Sequence, residues 1–160
     1  MRNDDIVRLF KLYANDLYRF ALSYLGSKQD AEDVVQEVYL KLLNRSLLLI
    51  KGQEKAYLMK MTANRCKDLL DSPARKTGVE LESAVNEAAC FHGFSEDDKE
   101  LFNELMDLDE TLRIPLYLYY YGGYSQKEIA KIINTSEAAV TMRIKRAKER
   151  LRKKWSDKNE

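Results

Sequence analysis

Near the start of the chain, Ile6, Leu9, Phe10, Tyr13, Leu17, Phe20, Ala21 and Tyr24 recur at three- and four-residue steps. That spacing places them on one face of a helix, which Gly26 ends. Ala31, Val34, Val35, Val38 and Leu42 repeat the pattern in a second helix. A loop runs from Asn44 to about Gln53, unusually apolar in Leu47-Leu48-Leu49-Ile50. A third helix is predicted over 54–71, with Met59, Ala63, Cys66 and Leu70 on one side. Ser72-Pro73 stops it, because proline disfavours the helical conformation of the residue before it. Residues 74–95 show little periodicity and read as a linker with room for a short helix around Glu80 to Ala89. Leu101, Leu105, Leu108 and Leu112 mark a fourth helix, and Pro115 is placed to begin a fifth through the aromatic run Tyr117 to Tyr121. Gly122-Gly123 ends that one.

The expected fold is all-α: two small helical domains, 1–73 and 97–160, joined by a flexible acidic linker over 74–96. Composition agrees, since 160 residues with only two prolines and six glycines favour long helices over strands and turns. With 45% hydrophobic residues there is enough apolar material for a core. No stretch approaches the ~20 apolar residues that span a bilayer. The opening MRNDDIVRLF carries acids where a secretory signal would be apolar, so a cytoplasmic protein without membrane insertion is expected. Cys66 and Cys90 sit in no metal spacing and read as reduced thiols.

A formal net charge of +1 conceals a strong division along the chain. From Gly78 to Glu110 eleven acids face the single base Lys99, a net of −10. From Lys127 to Lys154 ten basic residues face the three acids Glu128, Glu137 and Glu149, a net of +7. A basic end after an acidic middle suggests that the end meets a polyanion.

The basic end has an internal plan. Ser125-Gln126-Lys127-Glu128 is a capping box, in which the Ser and Glu side chains satisfy free amides at a helix start. Ile129, Ala130 and Ile133 are expected to face inward from that short helix. Asn134-Thr135-Ser136 makes a turn, Ser136 being able to cap the next helix. Val140, Ile144, Ala147 and Leu151 form the buried stripe of that long helix, whose other faces are basic. This is the helix-turn-helix plan of DNA-binding proteins. Glu137, Ala138, Thr141, Met142 and Lys145 would reach base edges in a major groove. Arg143, Arg146 and Arg150, with neighbouring lysines, would hold phosphates and displace counterions. The competing reading is an amphipathic helix with a merely solvated basic face; the turn and caps together argue against it.

Three segments resemble a known family. GGYSQKEIAKIINTSEAAVTMRIKRAKERLRK (122–153) resembles the DNA-binding fourth region of bacterial RNA polymerase sigma factors, which reads the promoter −35 element. DAEDVVQEVYLKLL (30–43) resembles the polymerase-binding helix of their second region, and AYLMKMTANRCKDLL (56–70) its −10-reading helix. Order and separation are similar to the extracytoplasmic-function subgroup, which keeps these two regions and little else. With its valines buried, the second helix presents Asp33, Glu37, Leu40 and Asn44 on the opposite stripe, flanked by Gln36 and Lys41. The resemblance implies that Asp33, Gln36, Glu37, Leu40 and Lys41 dock on the clamp of the largest catalytic subunit of core RNA polymerase; the plain alternative is a solvated face. It also implies that Tyr57, Lys60, Asn64 and Lys67 touch the strand that separates at the −10 element. An aromatic ring can stack on an unpaired base, lysines hold phosphates, and an amide bonds base edges. Tyr57 as a core aromatic is the open alternative. The loop around Leu47 to Glu54 would form a pocket for a flipped base, and the acidic linker would thread the RNA exit channel as an RNA mimic. A plain solubilising tether would also explain the linker. An anti-sigma partner belongs to the same implication.

The chain departs from the family in three places. Asp71-Ser72-Pro73-Ala74-Arg75-Lys76 stands where an arginine-rich tail is usual, Thr141-Met142 where a base followed by serine is common, and Tyr57 where tryptophan is frequent. No cofactor is expected and no catalytic residue is assigned: there is no phosphate-cradling glycine loop and no serine-histidine-acid set, and His92 is the sole histidine. Cys90 and His92 are two ligands where zinc usually takes four. Promoter DNA and core polymerase are the expected partners. The rival readings are a free-standing helix-turn-helix regulator that never joins polymerase, and an interaction module that sequesters another regulator.

Overall fold

In the computed structural model, which describes residues 3–44, 52–72 and 96–158, the described residues form seven helices and no strand. It separates into two compact units, Met1–Gly93 and Phe94–Glu160. The apolar loop Leu47–Ile50, the segment Glu80–Ala89, Cys90 and His92 lie outside the described residues.

The first unit holds α1 (Asn3–Leu25), α2 (Lys28–Asn44) and α3 (Glu54–Asp71). Gly26 takes the left-handed conformation (φ 67°) that lets α1 stop and the chain reverse. One residue later Ser27 accepts the amide of Asp30 on its hydroxyl at 3.3 Å and so opens α2. The helices then bury one stripe each: Leu9, Leu17 and Phe20 of α1, Val34, Val38 and Leu42 of α2, Leu58, Met59, Ala63 and Cys66 of α3. Each large aliphatic side chain buried in this way contributes about 1.5–3 kcal/mol. The buried Thr62 hydroxyl is satisfied by the Leu58 carbonyl at 2.8 Å.

Phe10 departs from the expected inward face and is 49% exposed. The α1 stripe runs through Ile6, Leu9, Leu17 and Phe20, and Phe10 lies at its margin, edge-on to the Tyr39 ring at 5.0 Å. Tyr39 takes the inner place: it is buried and donates its hydroxyl to the Leu9 carbonyl at 3.0 Å. Burial holds its phenol above the ordinary range. Around the rim, Arg8 pairs with Glu54 at 3.0 Å and Lys55 with Asp16 at 3.4 Å, tying the start of α3 to α1. Ser72 ends α3 with extended backbone (ψ 141°), the conformation that the following proline demands.

The second unit holds α4 (Glu96–Met106), α5 (Glu110–Tyr120), α6 (Gln126–Ile132) and α7 (Glu137–Lys158). Two boundaries differ from the sequence expectation. The leucine periodicity from Leu101 to Leu112 does not belong to one helix: α4 stops at Met106, Leu108 packs from the turn, and extended Asp109 (ψ 144°) starts α5. Asp109 accepts the Thr111 hydroxyl at 2.6 Å, which holds its carboxyl below the usual range. Pro115 accordingly lies inside α5 rather than at its start. The bond it forfeits is to the carbonyl of Thr111, a residue still exposed to water, while Leu112 to Leu118 are buried without a break. Arg113 joins them, its guanidinium donating to the Leu108 carbonyl at 2.9 Å. Arg113 gave no sign of this in the sequence.

After α5 the chain turns through two glycines with different tasks. Gly123 is left-handed (φ 69°) with open space around it. At Gly122 a Cβ would lie 2.6 Å from the Tyr124 ring and 2.7 Å from the Leu118 carbonyl. Gly122→Ala should therefore cost the unit about 1–3 kcal/mol through overpacking. Gly123→Ala should cost about 1 kcal/mol through backbone strain alone. Urea unfolding of the two variants should rank them in that order, and the reverse order would refute the packing at Gly122.

Candidate nucleic-acid interface

The helix-turn-helix is set by hydrogen bonds that its sequence specifies. Ser125 accepts the Glu128 amide on its hydroxyl at 3.1 Å, and Glu128 accepts the Ser125 amide at 3.1 Å, completing the box at the start of α6. Hydrogen bonds from Ser125, its backbone amide first and then its side chain, hold the Glu128 carboxyl below its ordinary value of 4.5. Ile129, Ala130 and Ile132 bury inward; Ile133, expected there, is half-buried because α6 has ended and it has left the helical phase. Asn134 takes a left-handed turn (φ 55°), and the Thr135 amide returns to the Ala130 carbonyl at 2.9 Å. Ser136 then caps α7, accepting the Ala139 amide at 3.1 Å.

Val140, Ile144 and Ala147 are buried and fix the rotation of α7, with Leu151 half-buried beyond them. Glu137, Ala138, Thr141, Met142 and Lys145 are all exposed as a consequence. At 100° per residue they span an arc of about 140°, wide enough to be one groove-facing front. Arg143, Arg146 and Arg150 lie on the next flank, Arg143 half-buried and the other two exposed. The Glu137 edge of the front itself is not free in the same way. Lys148, one of the expected phosphate-holding lysines, stands over the rings of Tyr119 and Tyr120, 5.4 Å from each centroid. Two of the four tyrosines in the run from Tyr117 to Tyr121 thus serve α7 rather than the core alone. Thr141 is also engaged: its hydroxyl lies 3.0 Å from the Glu137 carbonyl and donates to the side-chain oxygen Oε1 of Gln126 on α6. Gln126 was not among the expected site residues, and only the three-dimensional crossing of α6 and α7 reveals it.

In the first unit, burial of the α2 valines turns Asp33, Gln36, Leu40, Lys41 and Asn44 outward; all are exposed, Leu40 by 54%. Leu43, 52% exposed, extends the same side and was not expected there. Glu37 is different. It is half-buried and bonded through both oxygens to Arg65 of α3, from Nε and, at 3.3 Å, from the terminal NH2. On α3, Tyr57, Lys60, Asn64 and Lys67 are exposed together, within an arc of about 80°. Tyr57 belongs to that strip and not to the core, being 37% exposed.

Comparison with known proteins assigns both units to one family. Residues 9–76 match the family described as Sigma-70 region 2, and residues 99–151 match Sigma-70, region 4. The chain belongs to the sigma-70 family. Its relatives place it in the extracytoplasmic-function (ECF) group of that family. It is 27% identical over 151 residues to the ECF RNA polymerase sigma factor SigM of Bacillus subtilis, a match covering 92% of this chain and 93% of the relative. It is 28% identical to SigX of the same organism, covering 91% and 80%, and 28% identical to the ECF sigma-E factor of Haemophilus influenzae, covering 91% and 85%. The sigma factor RpoE of Bartonella quintana, solved in complex with the anti-sigma factor NepR, shares the fold with a TM-score of 0.72 at 21% identity, over 93% of this chain and 95% of that one. The region 2 match spans α1 to α3 and the region 4 match α4 to α7. Among the described residues no cluster of three or more His, Cys, Asp or Glu could hold a metal ion, and no helix is long and apolar enough to cross a membrane.

The capping box makes the region 4 unit acid-sensitive. A folded-state carboxyl below its unfolded value contributes stability that is full above about pH 4.5 and lost as pH falls through the folded value. Glu128→Gln should flatten the fall in melting temperature below about pH 4.5 relative to the parent. Ser125→Ala should cost about 1 kcal/mol at neutral pH. An unchanged acid limb in Glu128→Gln would contradict the box.

Proposed function

We propose that this ECF-group chain binds core RNA polymerase through the outward face of α2 and directs it to promoters that it reads and opens with α3 and α7. The observation that carries this reading is that burial of the apolar stripes leaves three separate outward faces, each with the chemistry of one task. Asp33, Gln36, Leu40 and Lys41, with Glu37 beside them, mix charge, amide and an exposed leucine, as a protein-docking face does. Tyr57, Lys60, Asn64 and Lys67 combine a stacking ring with phosphate-holding amines and an amide that reads base edges, as a single-strand face does. Glu137, Ala138, Thr141, Met142 and Lys145 form a groove-reading front beside the arginines Arg143, Arg146 and Arg150. Because the Thr141 hydroxyl is drawn to Gln126 and Glu137, Thr141 offers its methyl to the groove, a contact suited to the methyl of thymine.

Bases that unstack at the −10 element are held by the α3 face. The free energy of that capture, together with duplex binding by α7, drives melting, so the protein supplies binding and performs no bond chemistry. It acts where polymerase acts, in the cytoplasm. A regulatory partner of the anti-sigma kind would act by covering the α2 face, and the B. quintana neighbour was solved with such a partner. A free-standing regulator would use α7 in the same way but leaves the α2 and α3 faces without a task.

Transcription by core polymerase on a library of random promoters, with and without the protein, tests the reading. New transcripts sharing two spaced upstream elements are expected. No gain with core polymerase, together with selection of one palindromic duplex by the protein alone, would support the free-standing regulator instead. Asp33→Ala should weaken core binding on the order of tenfold while leaving the melting temperature unchanged. Stacking of a base on an aromatic ring contributes about 1–3 kcal/mol, so Tyr57→Ala should depress open-complex formation tenfold or more, and Tyr57→Phe should not. Equal loss in the two Tyr57 variants would contradict stacking.

A further inference from the structure

Glu37 and Arg65 are half-buried charges that join α2 to α3. The guanidinium grips both carboxylate oxygens from one side, through Nε and the terminal NH2. The hydrogen bonds to Glu37 hold the Arg65 guanidinium above its ordinary range, so it stays protonated in the pair. Neither group is sealed off: the Glu37 side chain is 41% exposed and that of Arg65 32%. A carboxylate has about four acceptor positions, and Arg65 uses two of them. The outward half of Glu37 can therefore take a cationic or amide donor from an incoming surface without releasing Arg65.

The placement of the pair matters as much as its geometry. Glu37 lies among Asp33, Gln36, Leu40 and Lys41 on α2, whereas Arg65 comes directly after Asn64 on α3, next to the strip through Tyr57, Lys60 and Lys67. One two-point bond thus spans the docking face and the strand-reading face. A partly exposed pair of this kind adds little to stability. Its effect on binding is larger, because a glutamate already fixed in one rotamer does not lose that freedom when it docks.

We infer that Arg65 is a positioning residue that holds Glu37 in the geometry used for docking on core polymerase and so couples docking on α2 to the setting of the strand-reading strip of α3. This rests on the reading of the α2 face as the polymerase-docking face. Arg65 itself touches neither polymerase nor DNA in this scheme.

The test measures two quantities separately on the full chain: affinity for core polymerase, and strand opening on a fixed promoter at saturating core, read by permanganate reactivity of unpaired thymines. Arg65→Ala should weaken core binding about three- to tenfold, the scale expected for releasing one ordered side chain. It should also reduce opening at saturation. Arg65→Lys, which keeps the charge but loses the fork, should fall between parent and alanine. In the Glu37→Ala background, Arg65→Ala should have no further effect on core affinity, since the residue acts through Glu37. A merely structural role would lower the melting temperature and leave the Glu37 background just as sensitive, which overturns the inference. Unchanged core affinity in Arg65→Ala, with the salt slope of promoter binding falling by about one, would make Arg65 a phosphate contact and also overturn it. Asp33→Ala separates the two levels: if it weakens core binding and Arg65→Ala does not, the coupling fails and the docking face stands. If neither does, the docking face itself fails.

Discussion

The rest of the first unit depends on the burial of Val34, Val38 and Leu42 of α2 against α1. These side chains are at most 1% exposed, and a helix pinned on one stripe has no remaining freedom of rotation. Its opposite stripe must then face out, which is why a set of polar residues without any catalytic geometry becomes a surface with a defined shape. The same pinning brings Glu37 to the side nearest α3, where Arg65 meets it. Tyr39 secures the arrangement from the other side through its bond to the Leu9 carbonyl. Function here is what the core leaves outside.

The fourth-region unit obeys the same rule with a different means of enforcement. Val140, Ile144 and Ala147 orient α7, but its start point is set by caps: Ser125 and Glu128 at α6, the left-handed Asn134 in the turn, Ser136 at α7. A cap displaced by one residue would rotate the front of α7 by about 100° and turn Thr141 out of register with Gln126. Lys148, held over two tyrosine rings, and Lys154, paired with Asp107, show that part of the positive charge braces α7 against its own unit. Arg146 and Arg150 stay exposed, and the proposed reading gives them the polyanion.

Much of this was legible in the sequence because the signals were local. Periodicity located α1, α2 and α3; the capping box and the serine before α7 located the helix-turn-helix; and the named surface residues other than Arg143, Lys148 and Glu37 emerged exposed. What was not legible depended on partners distant in sequence. Phe10 and Tyr39 compete for one place between α1 and α2, and only packing decides that Tyr39, with its hydroxyl satisfied, goes inside. The leucine repeat from Leu101 to Leu112 continues in phase across a real break, so periodicity alone could not find the turn that Asp109 and Thr111 make. Pro115 was read as a helix start from its missing amide, whereas an exposed carbonyl at Thr111 lets α5 tolerate it in its interior. The pairings Glu37–Arg65 and Gln126–Thr141 span 28 and 15 residues, and a sequence without its fold gives no means to connect them.

The most direct test of the three-face account is site-specific photocrosslinking in the complex of core polymerase, this protein and a promoter, with a photoreactive amino acid placed in turn at Leu40, Tyr57 and Met142. The account predicts three different targets: the largest catalytic subunit from Leu40, the unpaired strand of the melted element from Tyr57, and the upstream duplex element from Met142. Labelling of one duplex element from both Tyr57 and Met142, with no polymerase adduct from Leu40, would contradict it.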